Sequence, residues 1–383
     1  MKVLIVSQVI PQWYVDVITN ALPKNCEIDI ITGSQVSGNV IASPEHDAES
    51  FKSRLVCWWK HLRFVSRWIK QNKNKKYDLI FAVSNPPINS YIGLKLKKTF
   101  SAPFIYMNWD LYPQCIDYMI KNPVVHLMCK CWHIWNSKNY PKIDRMLTIG
   151  DVVAQSINAE LKKKIDISVI PIGVNTNQIK PVLRQENIFC EQNGLMDKFI
   201  VLYSGKMGYG HNIELIIEAA KKLKDNKDIV FVFIGNGQKY ELVKNAAEEN
   251  ENIMVFPLQP AEIFPYSMAC GDVGVVTEEE KMAHLFMPSK TYSMMACGMP
   301  VLGVCTDCDD LYNVISENKI GYAVTDGSAD TFAQYVKKLY DEREQLEALK
   351  ARARECAVEK YEITEIEKQY KTVFEKYLHY GDK

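Results

Sequence analysis

The sequence predicts an α/β protein made of two doubly wound parallel-sheet domains that face a central cleft, with a C-terminal helix returning to the first domain. Three observations carry that expectation. Short β-branched runs alternate with helical segments, the pattern of a parallel sheet covered on both faces. The alternation restarts after a polar, broken stretch at residues 175–197 that contains Pro181 and no sustained periodicity. The chain has 383 residues, 47% apolar and 24% charged, so at roughly 150 residues per domain it holds two to three globular domains. Such a composition excludes a disordered, collagen-like or coiled-coil protein.

Taken in order, the apolar runs at residues 3–6, 28–31, 79–83, 104–107, 145–149 and 168–171 are the strands of the first domain, expected over residues 1–180. The opening MKVLIVSQVI has an apolar run of about eight residues and no cleavage signal behind it, so it reads as a buried first strand and not as a signal peptide. The second domain, expected over residues 181–360, has strands at 199–203, 229–234, 253–256, 273–276 and 301–304. Helices at 212–224, 239–249 and 289–297 separate them. A charged helical tail from Thr331 to Tyr380 follows, of which residues 361–383 are expected to pack on the first domain. No stretch reaches the roughly 18 uncharged apolar residues of a spanning helix.

Lys+Arg and Asp+Glu are 46 each, so the formal charge is zero and no whole-protein field draws in nucleic acid. The charge is unevenly spread. Residues 1–180 hold 23 basic and 13 acidic side chains, the remainder 23 and 33, so the first half suits an anionic partner or surface. Nine basic residues lie from Lys52 to Lys76 with Trp58, Trp59, Phe64 and Trp68 and no acidic residue among them. A cationic helix with tryptophan on one side lies in the headgroup plane of an anionic membrane; the alternative is that the tryptophans pack on the sheet and the lysines are simply solvated. A second aromatic segment, residues 124–135 with Trp132 and Trp135, is expected beside it. The eleven cysteines are sparse and sit in apolar runs, which fits a reduced cytosolic compartment. The pairs Cys129/Cys131 and Cys305/Cys308 lack the second pair that zinc requires.

Two segments of the second half carry chemistry. A strand runs into Ser204-Gly205-Lys206-Met207-Gly208-Tyr209-Gly210-His211-Asn212 and then an amphipathic helix. Glycine lets the backbone approach a phosphate, the helix start supplies N–H donors and Lys206 supplies a full charge. The same pattern also serves as a plain tight connection. Met287-Pro288-Ser289-Lys290 opens the next helix, with Ser289 as its expected cap and Lys290 in the first turn. Two lysines on separate loops can then converge on one diphosphate.

In order and distance, YSGKMGYGHNIELIIEAA, FVFIGNGQKYELV, the aspartate of ACGDVGVV and MPSKTYSMMACGMPVLG resemble the donor domain of GT-B fold glycosyltransferases, of the family-4-like group that builds bacterial surface polysaccharides. Ser84-Asn85-Pro86-Pro87, Ala102-Pro103-Phe104 and Asn108-Trp109-Asp110-Leu111-Tyr112-Pro113 resemble that group's acceptor domain, and the resemblance spans roughly residues 1–375. It implies two Rossmann-like domains and a hexosyl- or N-acetylhexosaminyl-type transfer in capsule, lipopolysaccharide or related polysaccharide biosynthesis. Lys206 and Lys290 are expected on the leaving diphosphate and Asp110 on the acceptor or the transferred sugar, unless Asp110 caps its own turn. Nucleotide-sugar contacts are expected from Gly205, Gly208, His211, Gly235, Asn236 and Gly237, then from Phe256 and Leu258 near the base, and from Pro288, Ser289, Tyr292 and Ser293.

The resemblance further implies a UDP- or GDP-sugar donor with no separate cofactor and no metal, a retaining course, and a polyprenyl-linked saccharide acceptor met at the inner face of the cell membrane by a cytoplasmic, peripheral enzyme. Asp307-Cys308-Asp309 matches an Asp-x-Asp metal motif only superficially. There are departures. Leu285 and Ser293 stand where many members carry two glutamates, Trp109 stands where a histidine precedes the aspartate, and His211 either stands in for a missing basic residue or caps the helix. A catalytically degenerate binding or scaffolding subunit and a GT-B nucleotide-sugar epimerase are the alternative functions.

Overall fold

The computed structural model describes residues 1–46 and 50–378. The chain divides into two compact units, Met1–Pro171 with the segment from Thr364 onward, and Ile172–Ile363.

In the first unit the strands are β1 (Lys2–Val6), β2 (Glu27–Thr32), β3 (Asn39–Ala42), β4 (Leu79–Val83), β5 (Phe104–Asn108), β6 (Arg145–Thr148) and β7 (Ile167–Val169). They form one sheet in the order β3-β2-β1-β4-β5-β6-β7, every pair parallel. β4 and β5 are buried along their whole length, which is why they are continuous apolar runs and do not alternate. The order reverses between β1 and β4, so the loops after these strands open a crevice at the carboxyl edge. The helix Ile363–Glu375 completes this unit's core. Its Tyr370 hydroxyl lies 2.6 Å from that of Tyr14, and the Phe374 ring meets Phe81 at 5.7 Å. The part of the expected tail beyond Leu378, Tyr380 included, lies outside the described residues.

The second unit has β8 (Phe199–Ser204), β9 (Ile229–Ile234), β10 (Ile253–Phe256), β11 (Val273–Thr277), β12 (Val301–Val304) and β13 (Gly321–Val324), in the order β10-β9-β8-β11-β12-β13. Here the reversal falls between β8 and β11. The helices Ile213–Lys222 and Ala329–Asp341 lay Ile216, Ala219, Ala220, Phe332 and Val336 onto its core.

The charged tail is helical as expected, in three helices, Ala329–Asp341, Arg343–Lys360 and Ile363–Glu375. Two expectations are corrected. The polar stretch 175–197 is packed into the second unit: Arg184 donates to the Cys270 carbonyl at 2.8 Å and to Asp272 at 2.6 Å. The basic aromatic segment is the helix Phe51–Gln71, but its tryptophans do not share an outward face: Trp58 and Trp68 are buried with Cys57, His61, Val65 and Ile69. Trp59 alone among them is exposed, at 52%, with the Arg63 guanidinium 4.5 Å above its ring. Among the described residues no helix is long and apolar enough to cross a membrane.

Candidate active site

The carboxyl edge of the second sheet is assembled by backbone. Gly205 N–H donates to the Ile234 carbonyl at 2.8 Å, Met207 N–H to Asn236 at 2.6 Å and Lys239 N–H to Met207 at 2.9 Å, so the loops after β8 and β9 interlock. A Cβ on Gly235 would stand 1.9 Å from the Gly205 carbonyl oxygen, and one on Gly237 2.6 Å from that of Met207. These glycines are needed for the loops to approach one another. Gly208 is under no such demand, since its nearest contact would be at an ordinary 3.5 Å.

Lys290 begins the helix Lys290–Ala296, which has only seven residues, so the full charge of the lysine outweighs any dipole. Its Nζ is buried, has no hydrogen-bond partner among the described residues and lies 3.9 Å from the centroid of the Tyr203 ring. A Cβ on Gly205 would be 3.4 Å from that nitrogen, so the loop after β8 and the start of this helix meet here. Burial lowers the amine to about 7, opposed by the negative charge of Glu278. Glu278 follows β11 directly, its carboxyl buried beside Asp309, and neither of its oxygens has an aligned hydrogen-bond partner among the described residues. Burial first, then Asp309 and Asp310, push it well above the usual carboxylate range, while Lys290 acts the other way. The Thr291 hydroxyl, next in the chain, is also buried without a partner among the described residues. Such partnerless buried polar atoms are expensive unless a ligand or solvent meets them.

His211 is settled as neither a charge nor a cap. Asn212 caps the helix by accepting from Leu215 N–H at 3.2 Å. Nδ1 of His211 lies 2.7 Å from the Thr277 carbonyl, which fixes that nitrogen as the donor and leaves Nε2 as an acceptor. Burial, then the positive Lys290, lower the ring to about 4, so it is neutral at neutral pH. It carries no charge there and presents Nε2 as a hydrogen-bond acceptor.

Other expected contacts are placed as follows. Lys206 is exposed, its carbonyl held by the Tyr203 hydroxyl at 2.7 Å. Asn236 and Leu258 are exposed, Ser293 is half-buried and Pro288 is buried. The Phe256 ring packs on Phe189 at 5.1 Å, and its carbonyl is taken by Gly235 N–H. Two expectations fail. Ser289 precedes the helix but its side chain makes no capping bond, because its backbone is already helical. Tyr292 is 1% exposed and packs on Tyr361 at 4.6 Å, a core position with no face left for a ligand. Asp309 spends its carboxylate on Tyr312 N–H at 2.7 Å and Thr306 N–H at 2.8 Å, as the cap of the helix Asp310–Asn318.

In the first unit, Ser7 Oγ donates to the Asn85 carbonyl at 3.0 Å across the reversal, and Ser84 Oγ accepts Trp109 N–H at 2.9 Å. These bonds hold the loop that carries Asp110. Its carboxyl is half-buried, takes no hydrogen bond among the described residues, and is raised to about 6 by burial. It therefore caps no turn. Trp109, in the place of the expected histidine, packs edge-on against Tyr14 at 4.9 Å. Sequence reasoning missed Tyr203, Glu278 and Thr291. Glu278 is hidden in the run Glu278-Glu279-Glu280, and its one signal is its place immediately after a strand.

Two doubly wound parallel-sheet units give the chain the GT-B fold class. Residues 185–356 match the family described as glycosyl transferases group 1. The chain is 24% identical over 303 residues to "Probable glycosyltransferase WbjE" of Pseudomonas aeruginosa, covering 74% of this chain and 73% of that one. It is 35% identical over 104 residues to WcaI of Escherichia coli (strain K12), named for colanic acid biosynthesis, covering 27% and 25%. The crystal structure of Anabaena Alr3699/HepE in complex with UDP and glucose superposes with a TM-score of 0.73 at 13% identity, over 98% of this chain and all of that one. Residues 185–356 make the second unit a glycosyl transferases group 1 domain, and the chain as a whole is similar to proteins named as glycosyltransferases.

Proposed function

We propose that the chain moves a sugar from a nucleoside diphosphate sugar to a polyprenyl-linked saccharide during assembly of a cell-surface polysaccharide. The observation that carries this reading is the orphaned ammonium of Lys290 beside the glycine-held loop, at the strand reversal of the second unit. WbjE and WcaI support the transfer, WcaI's name the polysaccharide, and the UDP and glucose held by HepE the donor class. Bond cleavage at the anomeric carbon builds negative charge on the leaving diphosphate. Lys290 and Lys206 would neutralise it without a metal, by preorganised electrostatics. Nε2 of His211 would accept a hydrogen bond from a sugar hydroxyl. Asp110 would orient the acceptor from the first unit, and a retaining course is proposed with it.

The basic face of the helix Phe51–Gln71 would bring the enzyme to an anionic membrane surface. The test is a panel of UDP-, GDP- and dTDP-sugars, read by binding and then by donor hydrolysis with and without EDTA. Hydrolysis of one donor that survives EDTA is the expected result. Binding without turnover would identify a degenerate binding subunit, and loss restored by Mg²⁺ would reject the metal-free mechanism.

A further inference from the structure

The first unit carries a groove that the transfer chemistry does not use. It measures about 460 Å³, lies between the helices Phe51–Gln71 and Pro123–Asn139, and is walled by Trp58, Trp59, Leu62, Met128, Trp132 and Trp135 with no charged side chain. The second of these helices leaves Val124, Leu127 and Ile134 exposed at 77%, 63% and 57%. So much contiguous apolar surface marks a contact with something apolar.

The groove shares Tyr91 and Trp135, whose rings lie 6.0 Å apart, with an open basin of about 750 Å³ lined by Lys95, Lys97, Lys98 and Lys142 against one carboxylate, Asp144. Lys97 is paired with Asp144 at 2.7 Å. Lys142 has only an amide partner, Asn139 Oδ1 at 2.9 Å, and Lys98 is exposed with no carboxylate partner among the described residues. An apolar slot that ends in uncompensated ammonium groups has the complement of an amphiphilic anion.

We propose that this is a discrete lipid site, which takes an acyl chain of an anionic glycerophospholipid into the aromatic groove and its phosphate onto Lys98 and Lys142. A free phosphate would leave the tryptophan-lined part empty, whereas each methylene seated there raises affinity about fourfold. The inference rests on the proposal that the enzyme works at a membrane, and it turns a diffuse surface attraction into one bound molecule.

The experiment uses the full-length protein and vesicles of phosphatidylcholine, with or without phosphatidylglycerol brominated in mid-chain. Wild type should float with the anionic vesicles, and its tryptophan emission should be quenched by the bromines. Replacing Lys98 and Lys142 together with glutamine should lower partitioning about 30-fold, at about a factor of five per lysine. Met128→Glu should abolish quenching with an unchanged thermal transition. Native mass spectrometry of wild type, which needs no variant, should retain one phosphatidylglycerol per chain in the presence of excess inorganic phosphate. Quenching and partitioning that ignore these changes, and fall only when Arg63, Arg67 and Lys70 become glutamine, would overturn the site and leave the membrane proposal standing. Wild type indifferent to anionic vesicles would remove both.

Discussion

The two units share a doubly wound sheet and differ in what holds their strand-end loops. In the second unit, backbone groups meet backbone groups and glycine permits the approach, as between Gly205 and Gly235, with His211, Thr277 and Lys239 adding side-chain bonds to the next loop. In the first, side chains do much of the holding, since Ser7, Ser84 and Asn89 all bond to loop or strand-end backbone. A backbone-held edge keeps its side chains free for a ligand, and Lys206, Lys290, Glu278 and Thr291 are free in that sense. A side-chain-held edge spends Ser7, Ser84 and Asn89 on shape; among the described residues it leaves the Asp110 carboxyl unengaged, with Gln8 Oε1 and Asn108 Nδ2 buried and unpartnered near it in the fold.

The largest effect should come from the free cation. Lys290→Ala should lower donor turnover on the order of 10²-fold, as removal of one preorganised donor does, with the thermal transition unchanged or raised because a buried ammonium is gone. Lys206→Ala should cost less, and the double variant should fall short of the product of the two if both lysines meet one diphosphate. Near-normal turnover by folded Lys290→Ala would end the contrast between free and engaged edges.

Next come the glycines. Gly235→Ala drives a methyl group into the Gly205 carbonyl and should cost about 1–3 kcal/mol, a thermal shift of several degrees, whereas Gly208→Ala should stay within about 0.5 kcal/mol. Equal losses at the two positions would mean that the loops do not interlock.

The pH dependence sharpens the comparison further. In the empty site Lys290 loses its proton as pH rises through about 7, and a bound diphosphate would restore it. Nucleotide affinity should therefore weaken by up to about tenfold per pH unit above that value, with net proton uptake on binding. Lys290→Ala should flatten the dependence in titration calorimetry across buffers of different ionisation enthalpy. On the acid side Asp110 gains a proton as pH falls through about 6, so transfer to acceptor should decline there while donor hydrolysis holds. In Asp110→Asn that acid limb should be absent. Smallest is Ser84→Ala, which removes one neutral hydrogen bond to the Asp110 loop and should cost about 1 kcal/mol by chemical denaturation.

Much of the fold was legible because buried parallel strands are continuous apolar runs. β4, β5, β8 and β9 stand within a residue of their expected bounds. The edge strands β3 and β13 were missed because four residues with half-exposed faces carry little hydrophobic signal. The places of the two lysines, after β8 and at a helix start, were legible because charge next to a turn or a helix start stands out between apolar runs. Glu278 was not, since a carboxylate in an acidic run is ordinarily solvated and only the packing around β11 reveals its burial. Tyr292 was misplaced for a related reason: in a short helix between two glycine-bounded turns, sequence does not tell which face meets the core.

The pairing of Tyr14 with Tyr370 has a consequence for how the molecule is made. The first unit is discontinuous in sequence, because residues from opposite ends of the chain close one aromatic core around Phe81. During synthesis the second unit is therefore fully translated before the first has its last helix. Until then Tyr14 and Phe81 lack their partners, and a nascent chain stopped near Lys360 would present that apolar surface to chaperones. Vectorial N-to-C folding, ordinarily expected of multidomain chains, is reversed here: the unit begun first is the one finished last.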